Sequence, residues 1–219
     1  MHTTIQNLIN IEKNIQSNLS DLKINNQIKI IAVSKTFGAE KILPLIQHGH
    51  TDFGENKVQE AVDKWTELKK VNSSVKLHMI GKLQTNKVKY AVKLFDYIHS
   101  VDNEKLAKKI SEEDKKINKK TKIFIQVNIG GEDQKSGVSK TETNKLVSYC
   151  KDIKLDVSGL MCIPPVSKDS TFYFEEMKKL NKDFGFSELS MGMSSDYLKA
   201  IKNSATYVRI GSSIFGQRD

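Results

Sequence analysis

Cysteine is nearly absent: Cys150 and Cys162 are the only two in 219 residues. So few, so far apart, they exclude a disulfide framework and a Cys-x-x-Cys metal site, in keeping with a reducing compartment. No apolar run approaches the roughly 18 residues that a membrane span needs. No basic-then-apolar leader follows Met1, so the expected location is the cytoplasm. Arginine is scarce as well. Lys and Arg total 35 against 26 Asp and Glu, a formal net charge of +9, yet only Arg209 and Arg218 carry a guanidinium. Nucleic-acid readers depend on arginine forks and aromatic platforms, whereas these lysines are interspersed with Glu and Asp along helices, so the surplus reads as solvated surface. Two glycine signatures are also missing. No G-x-G-x-x-G follows the first strand-like segment and no G-x-x-x-x-G-K-S/T occurs, which removes the usual marks of nucleotide-binding open sheets.

What is present is a soluble folding chain, 38% hydrophobic and 28% charged. Ile5, Leu8, Ile11, Ile15, Leu19 and Leu22 recur at helical spacing, so the chain opens with an amphipathic helix. The β-branched run Ile28–Val33 then suits a strand buried on both faces, as in a parallel sheet. Strand and helix alternate from there to the C-terminus. Strands are expected at 51–53, 77–80, 97–101, 123–129, 157–163, 188–191 and 207–210. Helices are expected at 39–47, after 58, after 88, after 106, and at 146–151, 172–184 and 197–202. Eight strand–helix units with no linker or low-complexity tract predict an α/β fold of a single domain, residues 1–219. Its architecture is a (β/α)8 TIM-type barrel with an extra N-terminal helix.

In such a barrel the site is built from the loops after the strands. Ser194 or Ser195 stands where a helix N-cap belongs, Gly211 lets the backbone approach closely, and Ser212 adds a hydroxyl and an N–H. Serines of this kind often do no more than cap helices, but two such loops, after strands seven and eight, point to a phosphate. Lys35 lies two residues past the first strand. A lysine there becomes a nucleophile when desolvation or nearby positive charge favours its neutral form, and a lysine beside a phosphate anchor is what a pyridoxal phosphate site requires. Arg209 interrupts an otherwise apolar strand, so it either faces the barrel mouth or makes an ion pair on the helix side.

These residues fall in segments with a known likeness. They include Ala32-Val33-Ser34-Lys35-Thr36, Phe53-Gly54-Glu55-Asn56 with Gln59-Glu60, His78-Met79-Ile80-Gly81-Lys82-Leu83-Gln84-Thr85-Asn86-Lys87 and Lys135-Ser136-Gly137. Gly159-Leu160-Met161, Leu189-Ser190-Met191-Gly192-Met193-Ser194 and Val208-Arg209-Ile210-Gly211-Ser212-Ser213-Ile214-Phe215-Gly216 complete the set. Nearly end to end, the chain resembles the pyridoxal phosphate homeostasis proteins, relatives of the alanine racemase N-terminal barrel.

The resemblance implies a protein that binds pyridoxal 5'-phosphate as a Schiff base and buffers or delivers it in intracellular vitamin B6 homeostasis, with no established turnover. It implies an aldimine on Lys35, with Ser194, Ser195, Gly211 and Ser212 around the phosphate and Arg209 at the cofactor ring. Asn56 is placed in the pocket too, with His78 and Lys135 assigned there more loosely. The implied partners are the cofactor and pyridoxal phosphate-dependent apo-enzymes, with no nucleic acid and no membrane; the implied assembly is a monomer or weak dimer. The competing reading is a racemase-like or lyase-like enzyme. Racemisation needs acid/base groups on both faces of the substrate carbon, and the barrel racemases take one from a second domain.

Overall fold

The β-branched run that follows the first helix forms a strand because both of its faces find cover, and it is the first of eight strands. The computed structural model describes residues 2–23, 27–166 and 168–217. Strands β1 (Lys29–Val33), β2 (Asp52–Glu55), β3 (Lys76–Met79), β4 (Tyr97–Val101), β5 (Lys122–Val127), β6 (Asp156–Cys162), β7 (Glu188–Met193) and β8 (Tyr207–Ile210) lie in sequence order in a closed barrel. All are parallel, and β8 closes on β1 with Ile31 opposite Arg209. Helix α1 (Thr3–Asp21) precedes the barrel. Around it run α2 (Ala39–Gln47), α3 (Val58–Val71), α4 (Val88–Leu94), α5 (Glu104–Lys116), α6 (Thr143–Asp152), α7 (Ser170–Asp183), α8 (Tyr197–Lys202) and the single turn α9 (Ser212–Phe215). The fold is a single TIM-type barrel with an added N-terminal helix. Among the described residues no helix is long and apolar enough to cross a membrane.

Alternation along each strand divides the core in two. Ile30 and Ala32 of β1 join the large cluster between strands and helices, while Ile31 and Val33 turn inward with Tyr97, Phe124, Met161 and Tyr207. Helix α1 buries Leu8, Ile11, Ile15 and Leu19 against the ring. It is tied to the C-terminal turn by a hydrogen bond from Asn7 Nδ2 to the Ile214 carbonyl at 3.0 Å. Caps set other starts: Asn103 Oδ1 accepts from Leu106 N at 2.9 Å and Asp169 Oδ1 from Thr171 N at 3.2 Å.

Several boundaries differ from the expected ones. β5 ends at Val127 rather than 129 because Asn128 folds the chain back: its side chain donates to the Glu132 carbonyl and accepts from the Glu132 N–H. β7 runs on to Met193, and the helix after β3 begins with a 3-10 turn at Thr85–Lys87.

Candidate functional site

Strand alternation aims Lys35 inward because Ser34 before it is turned outward and held there. Ser34 Oγ donates to Glu55 Oε1 at 2.7 Å, and Trp65 Nε1 donates to the same oxygen at 2.9 Å. Lys64 Nζ binds the Ser34 carbonyl at 2.9 Å, Glu55 Oε1 at 3.0 Å and Glu60 Oε1 at 3.2 Å. Beyond Lys35, the Thr36 N–H donates to Glu60 Oε1 at 2.6 Å, and Thr36 takes the left-handed φ of 70°. Burial raises the Glu60 carboxyl, but the Thr36 and Lys64 hydrogen bonds outweigh it and hold the group below its usual range. The peptide on each side of Lys35 is therefore fixed by one ionic cluster beneath α3.

At the C-terminal ends of the strands lies a cavity of about 870 Å³. Lys35, Asn56, Ser194, Ser195, Arg209, Gly211 and Ser212 all line it, as do Lys82, Lys135 and Ser136. Lys35, Lys82, Lys135 and Arg209 make its charged wall wholly cationic; among the described residues no carboxylate lines it. Asn56 Oδ1 is buried without a hydrogen-bond partner. Gly81 is required beside it, since a Cβ there would lie 2.3 Å from the Asn56 carbonyl oxygen. Gly211 has an ordinary φ of −111°, and a Cβ on it would only touch Val33 at 3.4 Å, so its place in the wall is not forced by conformation.

Arg209 faces inward and is 4% exposed. NH1 donates to Ser190 Oγ and NH2 to the Cys162 carbonyl, both at 2.8 Å. Burial lowers the guanidinium pKa. Of the two placements open to Arg209, the structure has the barrel interior. Both cysteines are buried, and burial pushes each thiol up to about 12.

Two expectations are corrected. His78 does not line the cavity: it lies deeper in the barrel, fully buried, with Nδ1 2.9 Å from His99 Nε2. The N-cap of α8 is Asp196 rather than Ser194 or Ser195, because Asp196 Oδ1 already accepts from Met193 N at 2.7 Å and closes that turn. Ser194 Oγ is left near the other loop, 3.5 Å from Ser213 N. Lys135 lines the cavity, donates to the Pro164 carbonyl at 3.0 Å and pairs with Glu132 at 2.6 Å.

A family model described as alanine racemase, N-terminal domain, matches residues 7–219. A pyridoxal phosphate homeostasis protein of Pasteurella multocida is 37% identical over 229 residues, spanning 99% of this chain and 98% of that one. This chain belongs to that family. A solved relative, PipY of Synechococcus elongatus PCC7942 with PLP bound, is 31% identical with a TM-score of 0.82, covering 92% of this chain and all of that one. The alanine racemase of Clostridium difficile, at 17% identity and a TM-score of 0.69, shares the fold; the match covers 94% of this chain and 57% of the racemase.

Within this family member the cavity also includes Ile80, Gln126, Asn128, Ile163 and Met193, which sequence reasoning left out. Gln126 and Asn128 had a readable signal. They follow Phe124 at two-residue spacing on the inward face of an apolar strand, where a polar side chain needs a partner or a cavity.

Proposed function

We propose that this protein binds pyridoxal 5'-phosphate in the C-terminal cavity of its barrel, holds it covalently on Lys35, and serves cytoplasmic homeostasis of the cofactor by buffering or delivering it. The observation that carries this reading is a strand-end lysine in a cavity whose charged side chains, among the described residues, are all cationic. The residues fit the cofactor in other respects. The volume of about 870 Å³ falls within the usual range of small-molecule sites, and the orphaned Asn56 Oδ1 offers a polar contact in the wall. A relative solved with PLP bound supports the same assignment.

In this site Ser194, Ser195, Ser212 and the Gly211 backbone surround the phosphate, and Arg209 meets the pyridine ring. When bound, the cofactor supplies an aldehyde carbon that condenses with an amine. Lys35 is the amine, and the Glu55–Lys64–Glu60 cluster keeps its backbone in place. Arg209 only donates, so a ring nitrogen facing it must be an unprotonated acceptor, which restrains carbanion chemistry and suits a carrier. The racemase-like or lyase-like reading rests on fold likeness alone. Residues 1–219 act as one domain, as a monomer or weak dimer, toward the cofactor and the apo-enzymes that receive it, without nucleic acid or membrane.

The test is spectroscopic and chemical. Purified protein incubated with pyridoxal phosphate should gain the absorption band of a protein-linked cofactor, and borohydride should fix one pyridoxyl group on Lys35. Peptide mass mapping that puts the adduct elsewhere, or no uptake at all, defeats the reading.

A further inference from the structure

Below the cavity, five polar side chains cross the apolar barrel in one unbroken contact line. Asp52 Oδ1 is 3.0 Å from His78 Nε2, His78 Nδ1 is 2.9 Å from His99 Nε2, and His99 Nδ1 is 2.9 Å from Ser190 Oγ. Ser190 Oγ is in turn 2.8 Å from NH1 of Arg209. His78, His99 and Ser190 are each 0% exposed. Aromatic rings seal the line: His78 stacks on Tyr97 with centroids 4.4 Å apart, and His99 on Phe124 at 4.3 Å.

The two ends decide the direction of every bond. Arg209 can only donate, so Ser190 Oγ accepts from it. An ionised Asp52 can only accept, so His78 Nε2 donates. Between them each contact holds one hydrogen. The one arrangement with both rings neutral and no buried hydrogen wasted has Ser190 donating to His99 Nδ1 and His99 Nε2 donating to His78 Nδ1. We infer that Ser190, His99 and His78 form a one-directional hydrogen-bond line, anchored on Asp52, that positions the Arg209 guanidinium in the cavity wall.

The charged and titratable groups around the line agree with this. Burial dominates and lowers the pKa of both rings; Asp52, Asp96 and Lys29 also act on His78, His78 and Arg209 act on His99, and His78 in turn acts on the neighbouring His50. For Asp52 burial acts upward, but the His78 hydrogen bond, with help from Thr51 and His50, brings its carboxyl below the usual value. Asp52 also borders a groove at the opposite mouth, so the line runs from one end of the barrel to the cavity at the other.

The line itself does not depend on the ligand; its consequence for the cofactor rests on the pyridoxal phosphate reading above. The experiment therefore has two arms. In the ligand-free full chain, 15N NMR of the histidines should show His78 and His99 both neutral and protonated at Nε2 across about pH 5 to 8, where an ordinary histidine titrates. An imidazolium at His78, or a hydrogen on Nδ1 of His99, overturns the line. In the second arm, Ser190→Ala should weaken pyridoxal phosphate binding by about tenfold, the value of a hydrogen bond to a charged group, and should move the bound cofactor's absorption band. Ser190→Thr, which keeps the hydroxyl, should restore both. Wild-type affinity and spectrum in Ser190→Ala overturn the positioning role. Failure of the wild type to take up the cofactor defeats the earlier reading, and the NMR arm still decides the line.

Discussion

The two mouths of the barrel treat charge in opposite ways. At the N-terminal mouth a groove of about 460 Å³ carries Glu12, Lys29, His50 and Asp52, both signs together. Its charges answer one another: Lys29 lies 3.6 Å from Glu188 and donates to Tyr207 Oη at 2.7 Å, and Asp52 accepts from His78. At the C-terminal mouth Lys35, Lys82, Lys135 and Arg209 face a cavity with no carboxylate in its described wall. Carboxylates near Lys35 exist, but Glu55 and Glu60 lie behind the strand, where they hold its flanking backbone. One mouth mixes both signs in its wall, whereas the described wall of the other gathers four cations, of which Lys135 pairs with Glu132 just outside it. That contrast bears on the proposed anion site more directly than the overall charge of +9 does.

Substitutions at the two mouths should separate binding from stability. The largest effect is expected from Lys35→Ala, which should abolish the borohydride-fixed adduct altogether, while Lys29→Met should leave it intact; a persisting adduct in Lys35→Ala would break the contrast. Next, pyridoxal without its phosphate should bind about 100-fold more weakly or worse, since several charge-assisted hydrogen bonds are lost. Equal affinity for the two forms, measured by absorbance titration, would place the anion site elsewhere.

Behind the C-terminal mouth, Lys64→Met removes the cation from the fully buried Glu55 but leaves Ser34 and Trp65 as donors. It should cost about 2 kcal/mol in urea unfolding and loosen Lys35, less than a wholly unpaired buried charge would. Smaller again is the pH effect of the interior histidines. His78 and His99 have folded pKa values below the ordinary 6.5, so the unfolded chain takes up more protons as pH falls through that value. Their contribution is complete above pH 6.5 and declines below it, and the urea midpoint should fall between pH 7 and pH 5. A flat profile would mean that these rings are not held neutral. The smallest effect belongs to the N-terminal mouth: Lys29→Met, a partly exposed pair, should change stability by less than about 1 kcal/mol.

Much of this was legible before any coordinates. Helices at Ala39–Gln47 and Tyr197–Lys202 and strands at Tyr97–Val101 and Tyr207–Ile210 coincide with the expected spans, because period and breaker residues are local signals. The candidate residues at strand ends were legible for a topological reason. Once eight parallel strands close, every loop that follows a strand meets at one mouth, so Lys35, Asn56, Ser194 and Ser212 converge whatever the fine geometry. The caps of α8 and the reach of β5 were not readable, since Asp196 and Asn128 compete for turns that composition alone leaves degenerate.

By itself, then, the sequence determined the repeat, the closed barrel and the set of residues at its C-terminal mouth. Which inward side chains share a level was decided only by the tertiary structure. His78 and His99 are 21 residues apart, and His99 and Ser190 are 91 apart. Two-residue alternation says that each faces inward, but the tilt and stagger of closed strands set their heights, and those follow from the register of all eight pairs together. The same geometry carried His78 away from the cavity and into the line beneath Arg209.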